Sequence, residues 1–199
     1  MAGLAVVIFV LLLVVSVLLG QQRSVRAERD EALVAVEHAL THDPLTKLPN
    51  RALFTARLDH ALVADVCGAV LILDIDRLAE VNDALGHDAG DELLVEVADR
   101  LRTSLRSDDL VARLSGGEFV ALLRSDPETD LMSVAERVIE QIRTSRPTPH
   151  GTIDLAAKVG MVQWNEQMPA TSAADLLRAA ERAMHGTPTA ARQPTASAG

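Results

Sequence analysis

The stretch that most restricts this chain is "GAVLILDID", residues 68 to 76, a short unbroken apolar run that ends on two acids. A run of this length without polar alternation suits a strand buried at the centre of a sheet, so other elements must cover it. The rest of the sequence supplies them. Asn50 stands as an N-cap before Leu53, Phe54, Leu58 and Leu62 at helical spacing. "GHDAGDELLVEVADRLRTSL" reads as a second helix with Leu93, Leu94, Val97, Leu101 and Leu105 on its inner face. "VARLSGGEFVALL", residues 111 to 123, places two strand-like runs around Ser115-Gly116-Gly117-Glu118, a hairpin with an acid at its tip. A helix in "MSVAERVIEQI", a strand pair within "TIDLAAKVGMVQW" and a last helix in "SAADLLRAAERAM" follow. The expected fold class is α/β (α+β), a mixed central sheet of about five strands wrapped by helices. Such sheets hold ligands at their strand ends.

The chain is 48% hydrophobic but only 2% aromatic, so the core must be built from Ala, Val, Leu and Ile. A net charge of -9 argues against a nucleic-acid polymer as partner, because that role needs a basic face. The lone Cys67 excludes an internal disulfide and a CxxC zinc site. Residues 1 to 20 carry no charged side chain, and about 20 apolar residues cover a hydrocarbon core of about 30 Å. They are expected to form a transmembrane helix. Arg23, Arg26 and Arg29 follow, which predicts a single-pass protein of the inner (cytoplasmic) membrane with the domain in the cytoplasm. Residues 21 to 41 read as a charged helical linker with Leu33, Val36 and Leu40 on one stripe. That stripe is either a short coiled coil joining a homodimer or an amphipathic helix packed on its own domain. The domain proper is expected over 42–186, with a disordered tail at 187–199.

Asp74 and Asp76 lie two apart, so on a continuing strand both carboxylates share a face. Paired hard oxygens suit Mg2+ bound with substrate phosphates, and a solvated strand end is the alternative. Asn82 and Asp91 offer an amide and a carboxylate that can hydrogen-bond a base edge, or they are ordinary loop and cap residues. Gly116-Gly117 can bring backbone close to phosphates, or simply form the turn.

In order and spacing, "DPLTKLPNR", "DIDRLAEVNDALGHDAGDELL" and "RSDDLVARLSGGEF" resemble the signatures of the GGDEF domain family, the diguanylate cyclases, over about residues 41 to 186. The resemblance implies a fold like the palm of nucleotide cyclases and polymerases. It also implies condensation of two GTP molecules into cyclic di-GMP by a homodimer, with Mg2+ or Mn2+ bridging phosphates. By motif, Asp74 matches a metal ligand, Ile75 a backbone carbonyl ligand, and Glu118 a metal-binding and catalytic acid. Asn82 and Asp91 match the guanine-reading pair, and Gly116 the close backbone approach to the nucleotide. Arg106 and Asp109 fit the R-x-x-D of the inhibitory cyclic di-GMP site, with Arg137 as a second guanidinium, although an exposed Arg-Asp pair at a helix end explains them too.

The hairpin departs from the family pattern. Ser115 replaces the first glycine, and Gly117 stands where the family has a metal-ligating Asp or Glu. Leu78 and Ala79 replace an aromatic and a lysine, and Lys158 replaces the Ser of the late S-x-G strand. His185 and Pro188 replace the Tyr and the phosphate-binding Lys near the end. These changes predict a binding or regulatory module for GTP or cyclic di-GMP without efficient catalysis. The alternative is a weakly active cyclase.

Overall fold

The computed structural model describes residues 36–64, 67–124, 130–148, 151–164 and 172–186, together with single helical positions between 21 and 32. It divides into two units, residues 1–40 and 41–199. In the first, the described positions are helical, and Val36 and Leu40 are exposed. Leu33, residues 1–20 and the tail 187–199 lie outside the described residues.

The second unit runs α1 (Arg51–Val63), β1 (Gly68–Ile75), α2 (Leu78–Leu85), α3 (His87–Ser104), β2 (Leu110–Ser115) and β3 (Glu118–Arg124). After these come α4 (Leu131–Ile142), β4 (Thr144–Thr148), β5 (Gly151–Leu155), β6 (Ala157–Trp164) and α5 (Ala173–Gly186). The apolar run is β1, and it lies inside a four-stranded sheet of order β2-β3-β1-β6. Every pairing in that sheet is antiparallel. The expected mixed sheet of about five strands is therefore corrected. Each of the two helical crossovers skips one strand, so adjacent strands run in opposite directions.

Strand alternation sorts the core into two layers. Leu71 and Leu73 of β1 join Phe119, Ala121 and Leu123 under α3 and α4. Val70 and Ile72 join Val120, Leu122 and Trp164 under α1 and α5. The helices answer with their apolar stripes. Leu93, Leu94, Val97 and Leu101 are buried on α3, and Val134, Val138 and Ile142 on α4. Asn50 caps α1 as expected, its side chain accepting from the Leu53 N–H at 3.1 Å. Gly160 lets α5 lie directly on β6, because a Cβ there would stand 2.1 Å from the Ala180 carbonyl oxygen.

Three further expectations change. The predicted strand pair in residues 152–164 is two strands in different sheets, since β5 pairs with β4 while β6 joins β1. The alternative that read Asn82 as an ordinary loop residue is replaced, because Asn82 lies in a helix, α2. The single-pass membrane localisation is corrected as well, because no described helix is long and apolar enough to cross a membrane. The longest individually bounded helix, α3, has 18 residues and alternates charged with apolar side chains, whereas a span needs about 20 mostly apolar ones. Residues 1–20, which carried that expectation, lie outside the described residues.

Candidate functional site

On the face of the sheet that α1 and α5 cover, the apolar alternation of β1 and β3 (Val70 and Ile72, Val120 and Leu122) gives way to acids at Asp74 and Glu118. Register sets Asp74 opposite Glu118 on β3 and opposite Lys158 on β6, so the three side chains form one row across the sheet. The Lys158 Nζ lies 2.6 Å from Asp76 Oδ1. Arg51, at the start of α1, brings a guanidinium nitrogen within 3.8 Å of Glu118 Oε2. The Ser115 hydroxyl donates to the same carboxylate at 2.9 Å.

Burial pushes the Asp74 carboxyl above the ordinary aspartate range. Lys158 pulls it back, Glu118 and Asp76 add to the rise, and His185 opposes it weakly. Lys158 moves upward in turn because it is bonded to Asp76, with Asp74 nearby, so it stays protonated. The row thus sets two adjacent acids, Glu118 and Asp74, between two cations, Arg51 beside Glu118 and Lys158 beside Asp74.

The hairpin tip is held from two sides. Gly116 takes φ +46, the left-handed conformation that glycine adopts without steric cost. The Ile75 N–H donates to the Gly117 carbonyl at 3.1 Å, tying the tip to the end of β1. A Cβ on Gly117 would meet Ile75 Cβ and Leu78 Cδ2 at 3.4 Å and Asp74 Oδ1 at 3.5 Å, which are ordinary contacts. Position 117 has room for a side chain beside Asp74.

Arg113 forms the second hold. Its Nε and Nη2 donate to the Gly116 carbonyl at 3.0 and 2.9 Å, and its Nη1 donates to Asp43 Oδ1 at 3.0 Å. Asp43 Oδ1 also accepts from the Thr46 N–H at 2.8 Å and the Thr46 hydroxyl at 2.7 Å. Burial alone would raise the Asp43 carboxyl, but these donors and the Arg113 charge outweigh it and hold it below the ordinary range. In the sequence Asp43 and Arg113 appear only inside separate motifs, 70 residues apart, and nothing there connects them as a clamp.

Asn82 and Asp91 are brought together by the α2–α3 corner, where Gly86 takes φ +90. The Asn82 side chain lies over Gly90, and a Cβ there would stand 1.9 Å from Asn82 Oδ1. Asp91, the next residue, is exposed.

The Asp109 side chain organises the R-x-x-D turn through backbone donors. Asp109 accepts from the Arg106 N–H at 3.0 Å and from the Arg124 N–H at 3.1 Å. Arg137 donates twice to the Ser104 carbonyl, at 3.1 and 2.9 Å, and so caps the end of α3. Arg106 itself is exposed. A cavity of about 610 Å³ opens next to this turn, lined by Asp108, Asp109, Arg57, His60 and Trp164. It lies at the opposite end of β1 from Asp74.

A family model described as "Diguanylate cyclase, GGDEF domain" matches residues 40–193. The chain belongs to the GGDEF domain family. This GGDEF domain is 38% identical over 175 residues to diguanylate cyclase TpbB of Pseudomonas aeruginosa (strain UCBPP-PA14), an alignment that covers 84% of the chain and 40% of TpbB. It is 40% identical over 124 residues to MucR of P. aeruginosa (strain PAO1), a bifunctional diguanylate cyclase and cyclic di-GMP phosphodiesterase, covering 60% of the chain and 18% of MucR. Among solved structures, the GGDEF domain of TpbB superposes with TM-score 0.64 at 40% identity, covering 72% of this chain and 86% of that one. The coiled coil and GGDEF domain of DgcB from Caulobacter crescentus, solved with c-di-GMP, shares the fold at TM-score 0.74 and 22% identity, covering 84% and 90%. The chain spans about 40% of the length of TpbB. It is a GGDEF signalling domain related to the diguanylate cyclases, and its name motif reads Ser115-Gly116-Gly117-Glu118-Phe119.

Proposed function

We propose that this GGDEF domain is a regulatory module that binds GTP or cyclic di-GMP without efficient cyclisation. The observation that carries the reading is position 117. The acid is missing beside Asp74 at a place with room for it. In this reading Asn82 and Asp91 take the guanine edge, and the Gly116 backbone approaches the phosphates. Asp74, Glu118 and the Ile75 carbonyl form what is left of the metal side.

Mg2+ or Mn2+ is the cofactor that the resemblance implies, and the donor set here fits it poorly. No group of three His, Cys, Asp or Glu side chains suited to a metal exists among the described residues. An ammonium group also stands opposite Asp74 and is bonded to Asp76. Attack of a ribose hydroxyl on an α-phosphate needs charge stabilisation that is fixed in advance. Removing one such group from a preorganised site costs on the order of 10² to 10³ in rate.

Arg106 is exposed and available to grip phosphate, and Asp109 keeps lone pairs beyond its two backbone bonds, which supports cyclic di-GMP binding at the R-x-x-D turn. A homodimer through residues 21–41 accords with the exposed Val36 and Leu40, one helical turn apart. The second reading, a slow cyclase, is favoured by the retained Asp74–Glu118 pairing.

The test is incubation of the whole chain with GTP and Mn2+, with cyclic di-GMP measured by chromatography against TpbB. The expected rate is lower than that of TpbB by about 10²-fold or more. Product at a TpbB-like rate that Asp74→Ala abolishes would refute the reading. For the R-x-x-D turn, calorimetry should show cyclic di-GMP binding that Arg106→Ala weakens.

A further inference from the structure

Two of the departures from the family pattern meet at one residue. Gly117 and Lys158 flank Asp74, the first through its Cβ direction and the second as the cross-strand partner. Loss of an acid at 117 removes one negative charge, and arrival of a lysine at 158 adds one positive charge. The sum is two units, the charge of one divalent cation.

Lys158 is placed to use that charge. Its Nζ contacts Asp76 at 2.6 Å, and its side chain is 42% exposed, so it can turn from Asp76 toward a ligand above the row. An ammonium is a compact point charge with three donors, suited to phosphate oxygens. Without it, Asp74 and Glu118 would repel a triphosphate, and with it a second cation at the same place is repelled.

We propose that Lys158 is the resident cation of this site, standing in for a divalent metal between the carboxylates and the phosphates of GTP, so that guanine nucleotide binds here without Mg2+. This rests on the reading of the site as one that holds nucleotide without efficient turnover. It goes further by assigning a role to a residue whose family counterpart is an uncharged serine.

The test is calorimetry of the whole chain with GTP, in EDTA and in Mg2+. Wild type should bind in EDTA with an affinity within about threefold of that in Mg2+, a difference of about 0.65 kcal/mol at most. Lys158→Ser should lose about tenfold or more in EDTA, the loss of one charge-assisted contact, and recover in Mg2+. Lys158→Arg, which keeps the charge, should still bind in EDTA and so separates the charge from a fault in folding. A second probe is Mn2+ alone, followed by the electron paramagnetic resonance signal of the free ion. Wild type should leave the ion free, and the double variant Lys158→Ser, Gly117→Asp should take it up.

No GTP binding by wild type in EDTA overturns the proposal, as does a Lys158→Ser variant that binds in EDTA like wild type. Mn2+ uptake by wild type equal to that of the double variant overturns it too. Cyclic di-GMP made at a TpbB-like rate would overturn the proposed function, while the EDTA titration would still decide the role of Lys158.

Discussion

Replacing Asp43 by Ala tests whether the clamp under the hairpin tip holds the site together. The substitution removes three hydrogen bonds that converge on one oxygen, from the Thr46 N–H, the Thr46 hydroxyl and Arg113. It also leaves the Arg113 guanidinium, whose side chain is only 11% exposed, without its counter-charge. Breaking a buried ion pair by removing one partner costs about 3–5 kcal/mol. Asp43 is 18% exposed and Arg113 keeps both bonds to the Gly116 carbonyl, so the lower end applies, about 3 kcal/mol. For a domain of this size that is a fall of about 10 °C in Tm.

The pH dependence has a definite sign. The folded carboxyl sits below its unfolded value, so its contribution is present above the unfolded pKa and is lost as pH falls through the folded one. Urea unfolding of wild type, Asp43→Ala and Asp43→Asn at neutral pH and near the aspartate range measures both effects. Asp43→Asn keeps an acceptor and should fall between the other two, and its gap to wild type should close on acidification. A cost for Asp43→Ala below about 1 kcal/mol, or a gap that widens as pH falls, would refute the clamp.

Gly160→Ala should destabilise by about 2 kcal/mol or more, because the new Cβ meets backbone atoms of α5 at 2.1 and 2.4 Å, and a shift in urea midpoint below the equivalent of about 0.5 kcal/mol would contradict the direct packing of α5 on β6. Gly117→Asp should fold, yet lose up to about 1 kcal/mol at pH 7 by setting a second charge beside Asp74. Asp74 is already raised in the fold, so stability should return as pH falls through its folded pKa, and equal urea midpoints for variant and wild type at both pH values would contradict this. Gly90→Ala gains helix propensity of up to about 1 kcal/mol but displaces the Asn82 side chain, so stability should barely change while GTP affinity falls as it does in Asn82→Ala. Unchanged calorimetric affinity in Gly90→Ala would remove Asn82 from the guanine contact.

Features that depend on a few neighbouring residues were legible from the amino acids alone. The Asn50 cap, the inner row of α3 and the hairpin around Gly116 follow from helical spacing, strand runs and turn chemistry, all local. The order of the motifs was enough to mark Asp74, Asn82, Asp91 and Glu118 as candidates. Strand β4, "TSRPT", carries no apolar alternation, and its pairing with β5 appears only when the hairpin closes. Helix α2, "LAEVNDAL", is too short for its own periodicity to show, and its single buried residue is Val81. Lys158 was visible as a departure from a pattern. Its place beside Asp74 was not, because a register slip of one residue on β6 would turn it to the other face. The same holds for Arg113 and Asp43, 70 residues apart, which no local pattern connects. Composition and periodicity determined which elements form and which faces are apolar. Only strand register and helix packing decided which charges stand side by side, since Coulomb and hydrogen-bond energies depend on distances of a few ångströms between residues far apart in the chain.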